Sequence, residues 1–218
     1  MFNTQAFLGS LSGLGLRTLF YPSSGNRHGF VCGLNADIFV FSDYRPKSLY
    51  ARRAFWRRFV LSCAPHTIEL IASTPIARVF KIDERKWGLF LFVDNNIAAQ
   101  MIRKAGLRIS SFVGHCDGCT EGGNYECCNR SPFMEKILAL MPDDGGGMYI
   151  ITDHSPYLFK GGSWGKPRLG NFRFVIGDNI YGSHLISDRV PGFPERTCEF
   201  IVRRKSQLNE IEETIPRP

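Results

Sequence analysis

The sequence predicts an α/β fold, a mostly parallel sheet with helices on both faces and antiparallel strands added at its C-terminal end. Three observations carry that expectation. Short apolar runs bounded by turn residues alternate with amphipathic stretches of helical period through residue 155. Eighteen phenylalanines favour pleated, half-buried surfaces. Past Pro156 the pattern changes to glycine-rich and aromatic segments without helical period.

The elements follow in order. The stretch "RTLFY", Arg17 to Tyr21, reads as a strand stopped by Pro22, with the small-residue loop "PSSGNRHG" behind it. A second strand, "ADIFVFSDY", runs through Asp43. From about Lys47 to Cys63 a helix would gather Leu49, Trp56, Val60 and Cys63 on one face, leaving Arg53, Arg57 and Arg58 outside it. "TIELIAS" is a third strand, and "ARVFKIDERKWGLFLFVDNN" a hairpin turning at "DERK". A helix from about Ile97 to Ala105 is closed by Gly106, and "LRISSFVG" is the strand after it. "SPFMEKILALMP" is a short helix capped by Ser131, followed by the turn "DDGGG" and the strand "MYIITDHS". "NFRFVIGDNIYGSHLI" and "TCEFIVRRK" close the chain as antiparallel strands. The expected organisation is one domain over residues 1–206 with a loose tail over 207–218.

Length and composition set bounds on function. A chain of 218 residues with 44% hydrophobic content can bury a full core. No apolar run reaches the length of a membrane span, and the start lacks a basic region ahead of its apolar residues, so a cytoplasmic location is expected. Seven cysteines, an odd number, argue against a complete disulfide framework. The net charge of +7 is uneven: "RPKSLYARRAFWRRF" carries six basic residues and no acid. Such a patch attracts nucleic acid, phosphorylated ligands or acidic protein surfaces without choosing among them.

The most informative layout is at the front. A strand, a small-residue loop, a short helix and then a second strand ending in an acid about twenty residues on form a nucleotide-binding βαβ pattern. The loop lets a ligand approach the backbone, and the acid accepts hydrogen bonds from ribose hydroxyls. On Ser23, Ser24, Gly25, Asn26 and Asp43 the chain resembles the Rossmann-like class I methyltransferases over roughly residues 17–110. That resemblance implies a Rossmann-like domain that binds S-adenosylmethionine, or another nucleotide, through Tyr21, Ser23, Ser24, Gly25, Asn26 and Asp43, and a methyltransferase-like activity. The competing reading makes Pro22 to Asn26 a plain strand-to-helix turn and Asp43 a solvated strand end.

"GHCDGCTEGGNYECC", residues 114–128, holds four of the cysteines. Cys116 and Cys119 have the spacing of half a zinc site. Cys127 and Cys128 would complete it, though adjacent residues seldom turn both thiolates to one ion, and His115 or His154 are the other candidate ligands. Thiol redox chemistry lacks the helix that usually follows C-x-x-C and lowers a thiol pKa. A third reading takes the polar residues of the loop. If the strands before "SSGN", "DYR", "VDNN", "DGCTEGGN" and "TDHS" are parallel, all five loops share one sheet edge, where open α/β sheets bind ligands. That edge would carry Asp94, Asp153 and Asn124, the last as a further ligand contact. Asp117, Glu121 and His154 would be its candidate general acids and bases.

Two readings from other classes stand beside a small nucleotide-like ligand and a transferase or hydrolase. One is a zinc-stabilised nucleic-acid-binding module that uses Arg53, Arg57 and Arg58. The other is a catalytically inactive protein-interaction domain that keeps only the fold.

Overall fold

The structure is a computed structural model that describes residues 2–22, 24, 34–43, 68–115, 136–142, 145–151, 173–176, 179–187, 190–191 and 197–204. The chain forms two compact units, Met1–Val113 with Gly192–Pro194 and Gly114–Pro191 with Glu195–Pro218.

The first unit holds five strands, most of a sixth and two helices. The strands are β1 (Thr18–Pro22), β2 (Ile38–Ser42), β3 (Glu69–Ser73), β4 (Ala77–Lys81), β5 (Trp87–Leu91) and β6 (Ile109–His115); the helices are α1 (Thr4–Ser12) and α2 (Asn95–Lys104). Strand β1 pairs in parallel with β2 on one side and β6 on the other, and β2 pairs in parallel with β5. The β4–β5 hairpin and β3 extend the sheet antiparallel from there. The spatial order β5-β2-β1-β6 reverses direction at β1, the strand arrangement of a doubly wound, Rossmann-like α/β fold. The second unit contains β7 (Gly146–Ile151), β8 (Arg173–Ile176), β9 (Asn179–Ser187) and β10 (Thr197–Arg204). They pair antiparallel in the order β7-β10-β9-β8; for β8, β9 and β10 this is what the change of pattern past Pro156 predicts, whereas β7, which precedes Pro156, joins them through its antiparallel pairing with β10.

Continuous apolar runs explain the parallel centre. "TLFYP" and "IFVFS" are buried at every position, because a central parallel strand is covered on both faces. At the edge, β3 is exposed at four of its five positions. Asp83 makes the turn between β4 and β5: its side chain accepts from the backbone N–H groups of Arg85 (2.9 Å) and Lys86 (2.8 Å).

The helices depart from the sequence expectation in two places. Helix α1 arises from a stretch read only for targeting signals; Asn3 caps it, accepting from the N–H of Ala6 at 3.0 Å. Leu8 and Leu11 of α1 are buried, Phe7 meets Trp87 of β5 edge-on at 5.4 Å, and α1 contacts α2. Helix α2 starts at Asn95 instead of Ile97, since Asp94 supplies the cap by accepting from Asn96 N–H at 2.8 Å. It ends where expected, with Gly106 at φ 74°. The basic helix expected at 47–63 and the start of the helix expected at Ser131 lie outside the described residues; residues 136–138 are helical. No helix among the described residues is long and apolar enough to cross a membrane.

Candidate functional site

Because β1, β2, β5 and β6 run in parallel, their carboxyl ends lie along one edge of the sheet. The order reverses at β1, so a crevice is expected just outside Pro22, the position where open α/β sheets take ligands. The residues there are bound together by the backbone. Ser24 N–H donates to the carbonyl of Ser42 at 3.3 Å, tying the loop after β1 to the end of β2. Asp43 N–H donates to the carbonyl of Leu91 at 3.2 Å, tying the end of β2 to the end of β5.

Beneath this edge lies a row of aromatic rings. Tyr21, Phe41 and Phe90 are register partners on β1, β2 and β5. Tyr21 and Phe41 have ring centroids 6.2 Å apart, and Phe41 stacks on Phe90 at 4.8 Å. Phe80 of β4 meets Phe90 edge-on at 5.8 Å. Register-matched aromatic pairs of this kind fix neighbouring strands against slip.

Two polar residues at the edge are buried. Asp43 is 7% exposed, which removes the reading of a solvated strand end. Ser24 is 1% exposed, and its hydroxyl has no hydrogen-bond partner among the described residues. A buried hydroxyl without a partner costs about 1–3 kcal/mol, and native structures keep few such groups. The other unpartnered buried hydroxyl among the described residues is Thr18 Oγ1, at the far end of β1.

Of the sequence-predicted site residues, Tyr21, Ser24 and Asp43 gather at this edge, with Tyr21 buried in the aromatic row. Asp94 follows β5 on the same edge, where it caps α2. Ser23, Gly25, Asn26, Asp117, Glu121, Asn124, Asp153 and His154 lie outside the described residues, as do Cys116, Cys119, Cys127, Cys128 and the arginines Arg53, Arg57 and Arg58. Among the described residues no group of three or more His, Cys, Asp or Glu side chains could hold a metal ion.

Two residues of this edge were not foreseen. The Ser42 hydroxyl donates to Asn95 Oδ1 at 2.7 Å in a fully buried contact. Ser42 and Asn95 are each 1% exposed. The only sequence signal for Asn95 was its place after a capping aspartate.

A shallow open depression of about 740 Å³ lies at the opposite, amino edge, lined by Gly15, Arg17, Asp37 and residues 83–86. Of its three acids, Asp37, Asp83 and Glu84, the first is engaged by Arg17 and the second by the β4–β5 turn. It lies at the wrong end of the strands for the ligand crevice of an open α/β sheet.

No family model and no curated protein matches the sequence. Solved structures match over nearly the whole chain at low identity. An rRNA methylase from Streptococcus thermophilus is 11% identical, with a TM-score of 0.43 over 92% of this chain and 93% of its own. The antibiotic-resistance methyltransferase Kmr is 12% identical, with a TM-score of 0.42 over 94% of both chains. The N-methyltransferase NodS from Bradyrhizobium japonicum is 7% identical, with a TM-score of 0.41 over 91% of this chain and 94% of its own. The assignment of a Rossmann-like α/β fold rests on the strand order of this chain, β5-β2-β1-β6 in parallel with its reversal at β1.

Proposed function

We propose that the chain binds an adenine nucleoside ligand of the S-adenosylmethionine type at the carboxyl edge of β1 and β2, and acts as a methyltransferase-like transferase. The observation that carries this reading is the buried Ser24 hydroxyl, which has no hydrogen-bond partner among the described residues, on the loop after β1 and hydrogen-bonded through its backbone to the strand end that presents Asp43. A ligand with hydroxyl and amino groups would satisfy Ser24. Asp43 would accept from ribose hydroxyls, the task of an acid at the end of the second strand in dinucleotide-binding folds. When bound, such a ligand supplies an electrophilic methyl group on its sulfonium. In this reading Asp117, Glu121 and His154 are the candidates to take or give the substrate's proton.

Isothermal titration calorimetry with S-adenosylmethionine, S-adenosylhomocysteine, ATP and NAD tests the proposal. Saturable heat is expected with the first two, reduced about tenfold or more in affinity by Asp43→Ala, since a charge-assisted hydrogen bond contributes about 1.5–3 kcal/mol. A well-folded sample that binds none of the four ligands overturns it.

A further inference from the structure

The buried bond between Ser42 and Asn95 joins two parts of the chain 53 residues apart. Its location is what gives it meaning. Ser42 is the last residue of β2 and directly precedes Asp43, while Asn95 is the first residue of α2 and directly follows its cap. The carbonyl of Ser42 accepts from Ser24, and the N–H of Asp43 donates to Leu91. The backbone of Ser42 and Asp43 is therefore held from the β1 loop on one side and from β5 on the other. The side-chain bond adds a third hold, from α2.

We infer that Ser42 and Asn95 are positioning residues, which fix the direction of the Asp43 carboxylate for the ribose of the ligand. The inference rests on the reading proposed above. A carboxylate at the end of a strand, where the chain leaves regular pairing, has backbone freedom that weakens any directed hydrogen bond it makes. Three hydrogen bonds to two successive residues remove that freedom. Side chains that lock a binding residue in this way change affinity without touching the ligand. The Ser42–Asn95 bond is suited to the task because both partners are buried, so water offers neither a replacement.

The test uses S-adenosylhomocysteine and its 2′-deoxy and 3′-deoxy forms as probes, with affinities measured by calorimetry on the full chain. The wild type is expected to favour the ribose form. Ser42→Ala, which removes the donor, should weaken binding of the ribose form by about tenfold, since small misplacements of a binding group cost up to about a hundredfold. The same variant should leave at least one deoxy form nearly unaffected, because the contact Asp43 would lose is already absent there. Ser42→Thr keeps the hydroxyl and should restore the preference for ribose. If Ser42→Ala does not fold, Ser42→Cys, of similar shape and a feeble donor, is read in the same way. An equal loss for all three probes would show a general structural role and overturn the inference, as would an unchanged affinity or a wild type indifferent to the ribose hydroxyls. Those results leave ligand binding standing. A wild type that binds no probe overturns the site and the positioning role together.

Discussion

Arg17 and Asp37 close the amino edge of the sheet with three hydrogen bonds. The backbone N–H and Nε of Arg17 donate to Asp37 Oδ2 at 3.0 and 3.2 Å, and Nη2 donates to Oδ1 at 3.4 Å. The same arginine's carbonyl accepts from the N–H groups of Asp37 (2.8 Å) and Ile38 (3.0 Å), so the pair sets the register in which β2 enters beside β1.

The Arg17 side-chain hydrogen bond holds the Asp37 carboxyl below its ordinary pKa, against the opposing effect of burial. A depressed carboxylate pKa contributes stability that is present above the unfolded value of about 3.9 and lost as pH falls through the folded value. Asp37→Asn should therefore cost about 1 kcal/mol near neutral pH, a modest figure because the Arg17 side chain is 49% exposed and screened by solvent. Urea unfolding at a series of pH values checks this. The gap between variant and wild type should narrow below about pH 4 and be nearly closed once Asp37 is protonated.

Tyr149 of β7 and Glu199 of β10 are direct cross-strand partners. Burial, and then the charge and hydrogen bond of Glu199, push the Tyr149 phenol up to about 12. A phenol pKa raised on folding contributes stability that is complete below about pH 10, the unfolded value, and lost as pH rises through the folded one. A tyrosinate absorbance titration of Tyr149→Phe should lose one late-ionising phenol relative to the wild type. In Glu199→Gln the same phenol should ionise earlier, because the negative charge opposing tyrosinate is gone.

Two glycines with positive φ separate backbone strain from steric overlap. Gly106, at φ 74°, has Ser12 Oγ 3.8 Å from where a Cβ would stand, so an alanine fits and pays only for its left-handed backbone. Gly106→Ala should cost about 1–2 kcal/mol. Gly145, at φ 92°, leads into β7, and a Cβ there would overlap the backbone carbonyl of Val202 on β10. Backbone cannot yield as a side-chain tip does, so Gly145→Ala should cost upwards of about 3 kcal/mol and disturb the β7–β10 pairing. Thermal melts of the two variants should rank them in that order.

The parallel centre was legible because "TLFY" and "IFVF" are unbroken apolar runs, which only a strand covered on both faces requires. The hairpin was legible from one turn, since Asp83 can bond its own backbone two and three residues on. Helix α1 escaped notice for a physical reason: "TQAFLGSLS" mixes glycine and serine into its turns, so its hydrophobic period is faint and packing on β5 and α2 holds it. At the site, Ser24 and Asp43 could be proposed from spacing within one βαβ pattern. Ser42 and Asn95 could not, because a hydrogen bond across 53 residues leaves no local pattern in the sequence. Burial of Asp43 likewise depends on neighbours that only the folded chain supplies.

The aromatic row supplies a last expectation about what holds the ligand edge rigid. Phe41 is 1% exposed and lies between Tyr21 and Phe90, so its ring is the joint through which β1 and β5 are aligned on β2. Phe41→Ala would empty that space and should cost about 3–5 kcal/mol. Phe41→Leu keeps most of the volume and loses chiefly the ring stacking. A double-mutant cycle with Phe41→Leu and Phe90→Leu isolates that part. The 4.8 Å stacked geometry predicts a coupling of about 0.5–1.5 kcal/mol beyond buried area. Paired instead with Phe80→Leu, which lies against Phe90, Phe41→Leu should show a smaller coupling, since that link passes through an intermediate ring. Equal couplings in the two cycles would mean that the row acts as a bulk apolar layer, with no directed stacking between Phe41 and Phe90.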